Sequence, residues 1–176
     1  MEADSYIGHL NVAVNLDMME LKSKATIGRS NWITGYSTKT DSKHFKHQEN
    51  RQSKLYVGEN AAITKNHHLD CTNRIHIGAF STVAGYSSQF LTHSIDVYGN
   101  KQHSTPIHIG NYTFISTNVV VLGGAVLPNY SVLGAKALLN KKFDDEWVLY
   151  GGVPAKPVKN IDTSAQYFSR TEGFVY

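Results

Sequence analysis

A single cysteine, Cys71, occurs in 176 residues, which excludes an internal disulfide and makes a reducing compartment the default. No run of about 18 apolar residues is present, so no spanning helix and no membrane insertion are expected. The opening MEADSYIGHL lacks the basic-then-apolar order of an export signal, and the expectation is a cytoplasmic protein. Charge is scarce too: charged residues make up 18% and the net charge is +3, too mild to imply a nucleic-acid partner. Apolar residues are not scarce. At 41% they argue against a disordered chain and suffice for one continuous core.

That apolar content is periodic. From 109 in steps of six stand Ile109, Ile115, Val121, Leu127, Leu133 and Leu139. Two places before each stands a small or β-branched residue: Ile107, Thr113, Val119, Ala125, Ser131 and Ala137. A second ladder runs Val57, Ile63, Leu69, Ile75 and restarts at Ile77 and Val83. The pair aliphatic-Gly recurs at Ile7-Gly8, Ile27-Gly28, Val57-Gly58, Ile77-Gly78, Ile109-Gly110 and Leu133-Gly134.

A period of six matches neither a helix nor an alternating strand. It matches a triangular coil with one hexapeptide per side, the aliphatic residue pointing into the prism and the small one beside it near the corner. Glycine there tolerates backbone that a Cβ would strain. One coil cannot bury its own apolar edge, so stacked coils supply the core.

Two stretches break the period: residues 35–54, GYSTKTDSKHFKHQENRQSK, and residues 93–106, HSIDVYGNKQHSTP. Insertions in solenoids form loops, often on the functional face. The ladder is expected to stop at Lys142, dividing the chain into a β-helix over 1–142 and a closure loop and tail over 143–176. FDDEW (143–147) reads as a turn. Tyr167, Phe168, Phe174 and Tyr176 in the tail are expected to pack on the coil or on a neighbouring subunit, with a helix only weakly signalled.

The spacing resembles the hexapeptide-repeat family, whose fold is the all-β left-handed parallel β-helix, over roughly residues 7–160. Within that family, THSID after a coil resembles the THP-type segment of acetyl-CoA-dependent O-acetyltransferases, the maltose, galactoside and polysaccharide-modifying enzymes. IHIGNYTFISTNVVVLGGAVLPNYSVLGAKALLNK (107–141) is similar to their repeat pattern, and GGVPAKPVK (151–159) to their closure.

The resemblance implies direct acetyl transfer from acetyl-CoA, as co-substrate, to a sugar hydroxyl of a glycan or polysaccharide precursor. It also implies a homotrimer with sites between subunits and no metal. His93 matches the catalytic histidine. An alcohol is a poor nucleophile until its proton is taken, and an imidazole with an ordinary pKa near 6.5 takes it at neutral pH. Tyr86, Ser88 and Gln89 are expected to read the acceptor, because hydroxyls and amides suit sugar hydroxyls. Asp96 is one candidate to orient the imidazole; a carboxylate from elsewhere or a backbone carbonyl is another. Where the family has an acceptor-binding Asn, this chain aligns Thr64, with Asn66 two places on.

For the coenzyme the resemblance places Phe114, Thr117, Ala135, Asn140 and Lys141 along the pantetheine arm, and Lys156 and Lys159 near the phosphates. Independently, five of 17 basic residues (Lys136, Lys141, Lys142, Lys156, Lys159) fall in this stretch. Phe114, Ser116 and Lys136 stand where the family has Trp, Gly and Gly. With no acyl-enzyme, Cys71 has no nucleophilic task and reads as a packed residue.

Other readings remain. One is N-acylation of a nucleotide-linked amino sugar. Another is a γ-carbonic-anhydrase-like metal protein using His67 or His68 with His103 and His108, although His103 lies in a loop and His108 precedes Ile109-Gly110. A third is a non-catalytic scaffold that kept the prism.

Overall fold

The computed structural model describes residues 1–176 as a three-sided prism of short strands, with one 3-10 turn at Gln166–Ser169. Sheet A has eight strands: Tyr6–Ile7, Thr26–Arg29, Ala62–Lys65, Thr82–Val83, Phe114–Ile115, Val132–Leu133, Val148–Gly151 and Lys156–Asn160. Sheet B has six: Val12–Val14, Trp32–Thr34, His68–Asp70, Gln89–Leu91, Val120–Leu122 and Leu138–Leu139. Sheet C has five: Met18–Leu21, Lys54–Val57, Ile75–Ile77, Ile107–Ile109 and Val126–Leu127. The chain visits A, B and C in turn, so each strand pairs in parallel with its counterpart one coil away.

The register stacks the ladder on itself. In sheet A, Ile63 lies over Val83, Val83 over Ile115 and Ile115 over Leu133. In sheet B, Leu69 lies over Phe90 and Phe90 over Val121; in sheet C, Val57 lies over Ile77 and Ile77 over Ile109. All are fully buried or nearly so, in one cluster of 27 residues from Leu21 to Ala155. The small residues two places earlier are buried as well, among them Ala61, Ser81, Thr113, Ser131 and Ala137.

Glycine follows the aliphatic residue for a reason other than torsion. A Cβ on Gly28 would lie 1.9 Å from the Thr64 carbonyl oxygen, and one on Gly78 would lie 2.5 Å from Gly110. These glycines allow backbones of successive coils to approach. The corner positions with left-handed backbone are filled mostly by other residues, including the column Phe80, Tyr112, Tyr130 and Trp147 at φ 56, 52, 53 and 58. Their rings stack at centroid distances of 4.7, 5.6 and 4.7 Å, contacts that offset the roughly 1–2 kcal/mol torsional cost at each position.

The aliphatic ladder ends at Leu139, but the prism goes on. Val148–Gly151 pairs in parallel with Val132–Leu133, and Tyr150 stacks on Leu133, fully buried, so the ladder does not stop at Lys142. Lys156–Asn160 then runs antiparallel along Val148–Gly151 and forms the last edge of sheet A. In the tail, Tyr167 donates to the Thr113 carbonyl at 2.8 Å and Phe168 packs edge-on against Trp147 at 5.2 Å. Arg170 lies 4.0 Å over the Tyr167 ring. These side chains hold the tail on the coil, whereas Phe174 and Tyr176 are exposed. No helix is long and apolar enough to cross a membrane.

Both breaks in the period leave the prism at the same corner, between a strand of sheet B and one of sheet C. The second is not an irregular loop. His93–Asp96 and Lys101–Ser104 form an antiparallel hairpin with His93 opposite Ser104 and Asp96 opposite Lys101. The first break folds against it: Gln48 donates to the Ser104 carbonyl at 2.9 Å and accepts from the Ser104 hydroxyl at 2.7 Å.

Candidate active site at the insertion corner

Where the insertions meet, His93 opens the hairpin with its side chain 38% exposed. Its Nδ1 lies 4.0 Å from Oδ2 of Asp70, which ends the sheet B strand one coil away and is paired with Leu91. The other oxygen of Asp70 accepts the Thr72 N–H at 2.9 Å, which fixes the carboxylate. On the other side of the ring, Nε2 and Gln102 Oε1 are 2.5 Å apart. Phe45, buried at the tip of the first insertion, sets its ring edge-on to the imidazole at 5.4 Å.

Phe45 is held in turn. The Arg51 guanidinium lies 4.7 Å over its ring and donates to the carbonyls of Tyr36, Ser37 and Thr72. The insertion is thereby stapled to the prism. The result is an imidazole with one nitrogen toward a fixed carboxylate, the other toward a movable amide, and a face shielded by an aromatic ring. Such a group can accept a proton from a bound hydroxyl or amine.

The structure does not gather every expected residue here. Ser88 is fully buried: its N–H donates to His67 Nδ1 at 3.2 Å and its Oγ accepts the Val119 N–H at 3.3 Å. It is a corner residue of the core and cannot read an acceptor. Asp96 does not orient His93, because it accepts the N–H groups of Tyr98 and Gly99 in its own hairpin turn. Gln89 and Tyr86 are exposed, on sheet B and at the corner before it. Asn66, with φ 54, stands at that same corner two coils below Asn118.

The coenzyme set is divided. Thr117 and Ala135 lie at the corner between sheets A and B, and their backbone N–H groups have no partner within the chain. Thr117 Oγ1 bridges the N–H and carbonyl of Tyr86 at 3.2 and 3.1 Å. Asn140 and Lys141 lie past the other end of sheet B, where Lys141 Nζ stands 5.1 Å from the Phe143 ring. Lys156 and Lys159 project from the antiparallel edge strand, both exposed. Phe114 lies on the outer face of sheet A with Tyr167 edge-on at 5.8 Å, so the tail covers the expected aromatic wall. Lys136 occupies a left-handed corner at φ 58, which explains a glycine preference at that place. Within one chain, sheet B separates His93 from Thr117 and Ala135 by about 10 Å of extended strand.

His67, His68, His103 and His108 do not converge on a metal-holding point. His67 is buried in a corner, His103 is on the hairpin, and His108 lies on sheet C, stacked on His76 at 4.5 Å. Burial pushes His67 down to about 4, and burial with the nearby cations does the same to His76. Cys71 is fully buried and its thiol pushed up by burial, first of all, so it is no nucleophile. Asp70, Gln102 and Phe45 are the site residues that the sequence reading missed. The signal for Gln102 was present: HSID and KQHS flank VYGN, a turn with Gly and Asn between two short strands.

Comparison with known proteins defines the fold class. No protein-family model matches the chain, and no curated protein matches it in sequence. Solved structures do match. A hexapeptide-repeat acetyltransferase from Vibrio cholerae O1 biovar eltor, in complex with acetyl coenzyme A, aligns with TM-score 0.56 at 20% identity, covering 91% of this chain and 72% of that one. A maltose O-acetyltransferase from Clostridium difficile 630 aligns with TM-score 0.57 at 17% identity, covering 87% and 71%. An N-acyltransferase mutant from Bacillus cereus, bound to dTDP and coenzyme A, aligns with TM-score 0.60 at 14% identity, covering 95% and 89%. The chain has the left-handed parallel β-helix fold of these acyltransferases. At such identities the likeness establishes the fold, and the chemistry has to be argued from the residues.

Proposed function

We propose that this protein is an acetyl-CoA-dependent O-acetyltransferase that transfers the acetyl group directly to a sugar hydroxyl of a glycan or polysaccharide precursor. One observation carries the reading: His93 stands accessible at the insertion corner with Nδ1 toward the fixed carboxylate of Asp70. That carboxylate favours the proton on Nδ1 and leaves the lone pair on Nε2. At rest Gln102 Oε1 lies against Nε2 and accepts its N–H, so the tautomer that Asp70 favours forms as an acceptor hydroxyl displaces the amide. Nε2 takes the hydroxyl proton as the oxygen attacks the thioester carbonyl, and returns it to the departing thiolate. Asp70 stabilises the imidazolium in between.

The fit to coenzyme A rests on the unpaired N–H groups of Thr117 and Ala135, donors suited to a peptide-like arm. Exposed Lys156 and Lys159 are suited to its phosphates. Since His93 and this corner lie on opposite sides of sheet B, a complete site draws on two copies of the chain. Outward-facing Trp32, Val120, Leu122 and Leu138 give sheet B an apolar surface suited to such contact. We assign a homotrimer on these grounds and on the family resemblance, and a cytoplasmic location on the single, buried Cys71. Residues 1–142 carry the base; within 143–176, Val148–Gly151 extends the prism and the loop and edge strand that follow it would close over the coenzyme.

The test is thiol release from acetyl-CoA over a panel of sugars and nucleotide sugars, comparing wild type with His93→Ala. Acceptor-dependent release that falls about 10²-fold or more in the variant is the expected result. Acceptor-dependent release unchanged in the variant excludes His93 as the base, and none with any acceptor overturns the reading. A second reading, N-acylation of a nucleotide-linked amino sugar, draws on the structural likeness to the Bacillus cereus enzyme. It is favoured if amino sugars outrun hydroxyl acceptors in the same panel.

A further inference from the structure

Beside His93, between the first insertion and the hairpin, lies a cavity of about 300 Å³. Lys43, His44 and His47 line it from one side and Asn100, Lys101 and Gln102 from the other. Phe45 and Gln102, the two residues that touch the His93 ring within the insertions, are both part of its wall. His93 itself does not line the cavity: Gln102, whose Oε1 meets Nε2, stands between them, so a bound ligand reaches the imidazole where the Gln102 side chain moves aside.

Its charge is one-sided. No carboxylate lines it. Asp96, opposite Lys101 in the hairpin, is turned into the Tyr98–Gly99 backbone, and neither Lys43 nor Lys101 has a carboxylate partner within 4.0 Å. Lys101 is within electrostatic reach of Asp96, but no carboxylate lines the cavity, and two lysines lining one concave site raise the local concentration of anions. The lysines, the imidazoles and the amides of Asn100 and Gln102 supply N–H donors for oxygen acceptors. A volume of about 300 Å³ is at the small end of ligand cavities, room for one sugar ring and a charged substituent.

We infer that the acceptor is an acidic sugar, carrying a carboxylate or a phosphate that is held between Lys43 and Lys101 while a ring hydroxyl is presented to His93. This rests on the acetyltransferase reading for the reaction but not for the binding. The same anion chemistry could come from a uronic acid or from a sugar phosphate, and the probes separate the two.

The experiment is a titration of the isotope-labelled protein with glucuronate, glucose 6-phosphate and glucose at about 0.15 M ionic strength, following the backbone amides of residues 43–47 and 100–102. At least one acidic sugar is expected to bind about fivefold more tightly than glucose, and the tighter of the two names the anion. The double variant Lys43→Gln/Lys101→Gln should weaken that binding about fivefold to tenfold. Lys46→Gln removes the same kind of charge from the same insertion but lines a different cavity, and should change it less than about twofold. Glucose binding as tightly as both acidic sugars overturns the inference, as does an equal loss in Lys46→Gln. Thiol release measured alongside keeps the two claims apart. Acidic-sugar binding without transfer supports the site and sinks the enzyme reading; transfer with no preference for charge does the reverse.

Discussion

His93 Nδ1 faces Asp70 Oδ2 at 4.0 Å, from a hairpin strand to a prism strand one coil away. Asp70→Asn keeps an acceptor for the Thr72 N–H and removes the charge. We expect a less firmly oriented imidazole and a fall in kcat of about 5- to 30-fold. KM for the acceptor and the melting temperature should hardly move. An unchanged kcat would exclude Asp70 as a positioning residue.

Acid should destabilise the fold through His67. It is buried and neutral, with Nδ1 accepting the Ser88 N–H and Nε2 donating to Thr64 Oγ1 at 3.0 Å, and burial holds it at about 4. The unfolded chain binds a proton here below about 6.5, so it binds more protons than the fold between those values. Stability is therefore full above about pH 6.5 and lost as pH falls toward about 4. His76, also held at about 4, adds to the same window. Urea midpoints measured across it should fall less steeply in His67→Gln than in wild type. Parallel curves would assign the effect elsewhere.

Gly28 and Gly134 should respond unequally to the same substitution. A Cβ at Gly28 would lie 1.9 Å from the Thr64 carbonyl oxygen, and backbone must shift to admit it. Gly28→Ala should cost about 1–3 kcal/mol. At Gly134 the nearest atom is the Tyr150 carbonyl oxygen at 3.4 Å, an ordinary contact, and Gly134→Ala should stay within about 0.5 kcal/mol. Equal melting temperatures for the two variants would contradict the close-approach account.

Arg51→Met removes the donors to the Tyr36, Ser37 and Thr72 carbonyls and should cost about 1–3 kcal/mol. It also releases the staple on residues 35–53. Limited proteolysis should cut there faster than in wild type. Since Phe45 shields His93, kcat/KM should fall with it. Unaltered cleavage would mean that the contacts of Gln48 to Ser104 and of Ser37 and Thr38 to Asp17 hold the insertion without Arg51.

The prism was legible because a buried ladder imposes a period that solvent-facing positions need not obey. Ile109 to Leu139 announced the inward residue of six successive sides, two full coils, in six-residue steps. Ser88 was misread although the same rule covers it. It stands two places before buried Phe90 as Thr113 stands before Ile115, but an aromatic in the aliphatic slot hid the register. His93 was legible from a local motif. Asp70 and Gln102 were not, because one meets His93 through coil stacking and the other through hairpin register. Neither distance is written in nearby residues. The reason for the glycines was also misplaced: the sequence shows that a Cβ is missing, not which backbone occupies its place.

The reversed strand Lys156–Asn160 bears on how long the solenoid can be. A prism that ended on Val148–Gly151 would offer a parallel-pairing edge to the first coil of another molecule, and head-to-tail growth would have no stop. Lys156–Asn160 takes that edge in the opposite direction, with Pro157 lacking an N–H and Lys156 and Lys159 exposed. The coil count is thereby terminated within one chain. Association is diverted from the end of the prism to its sides, where a finite assembly can close.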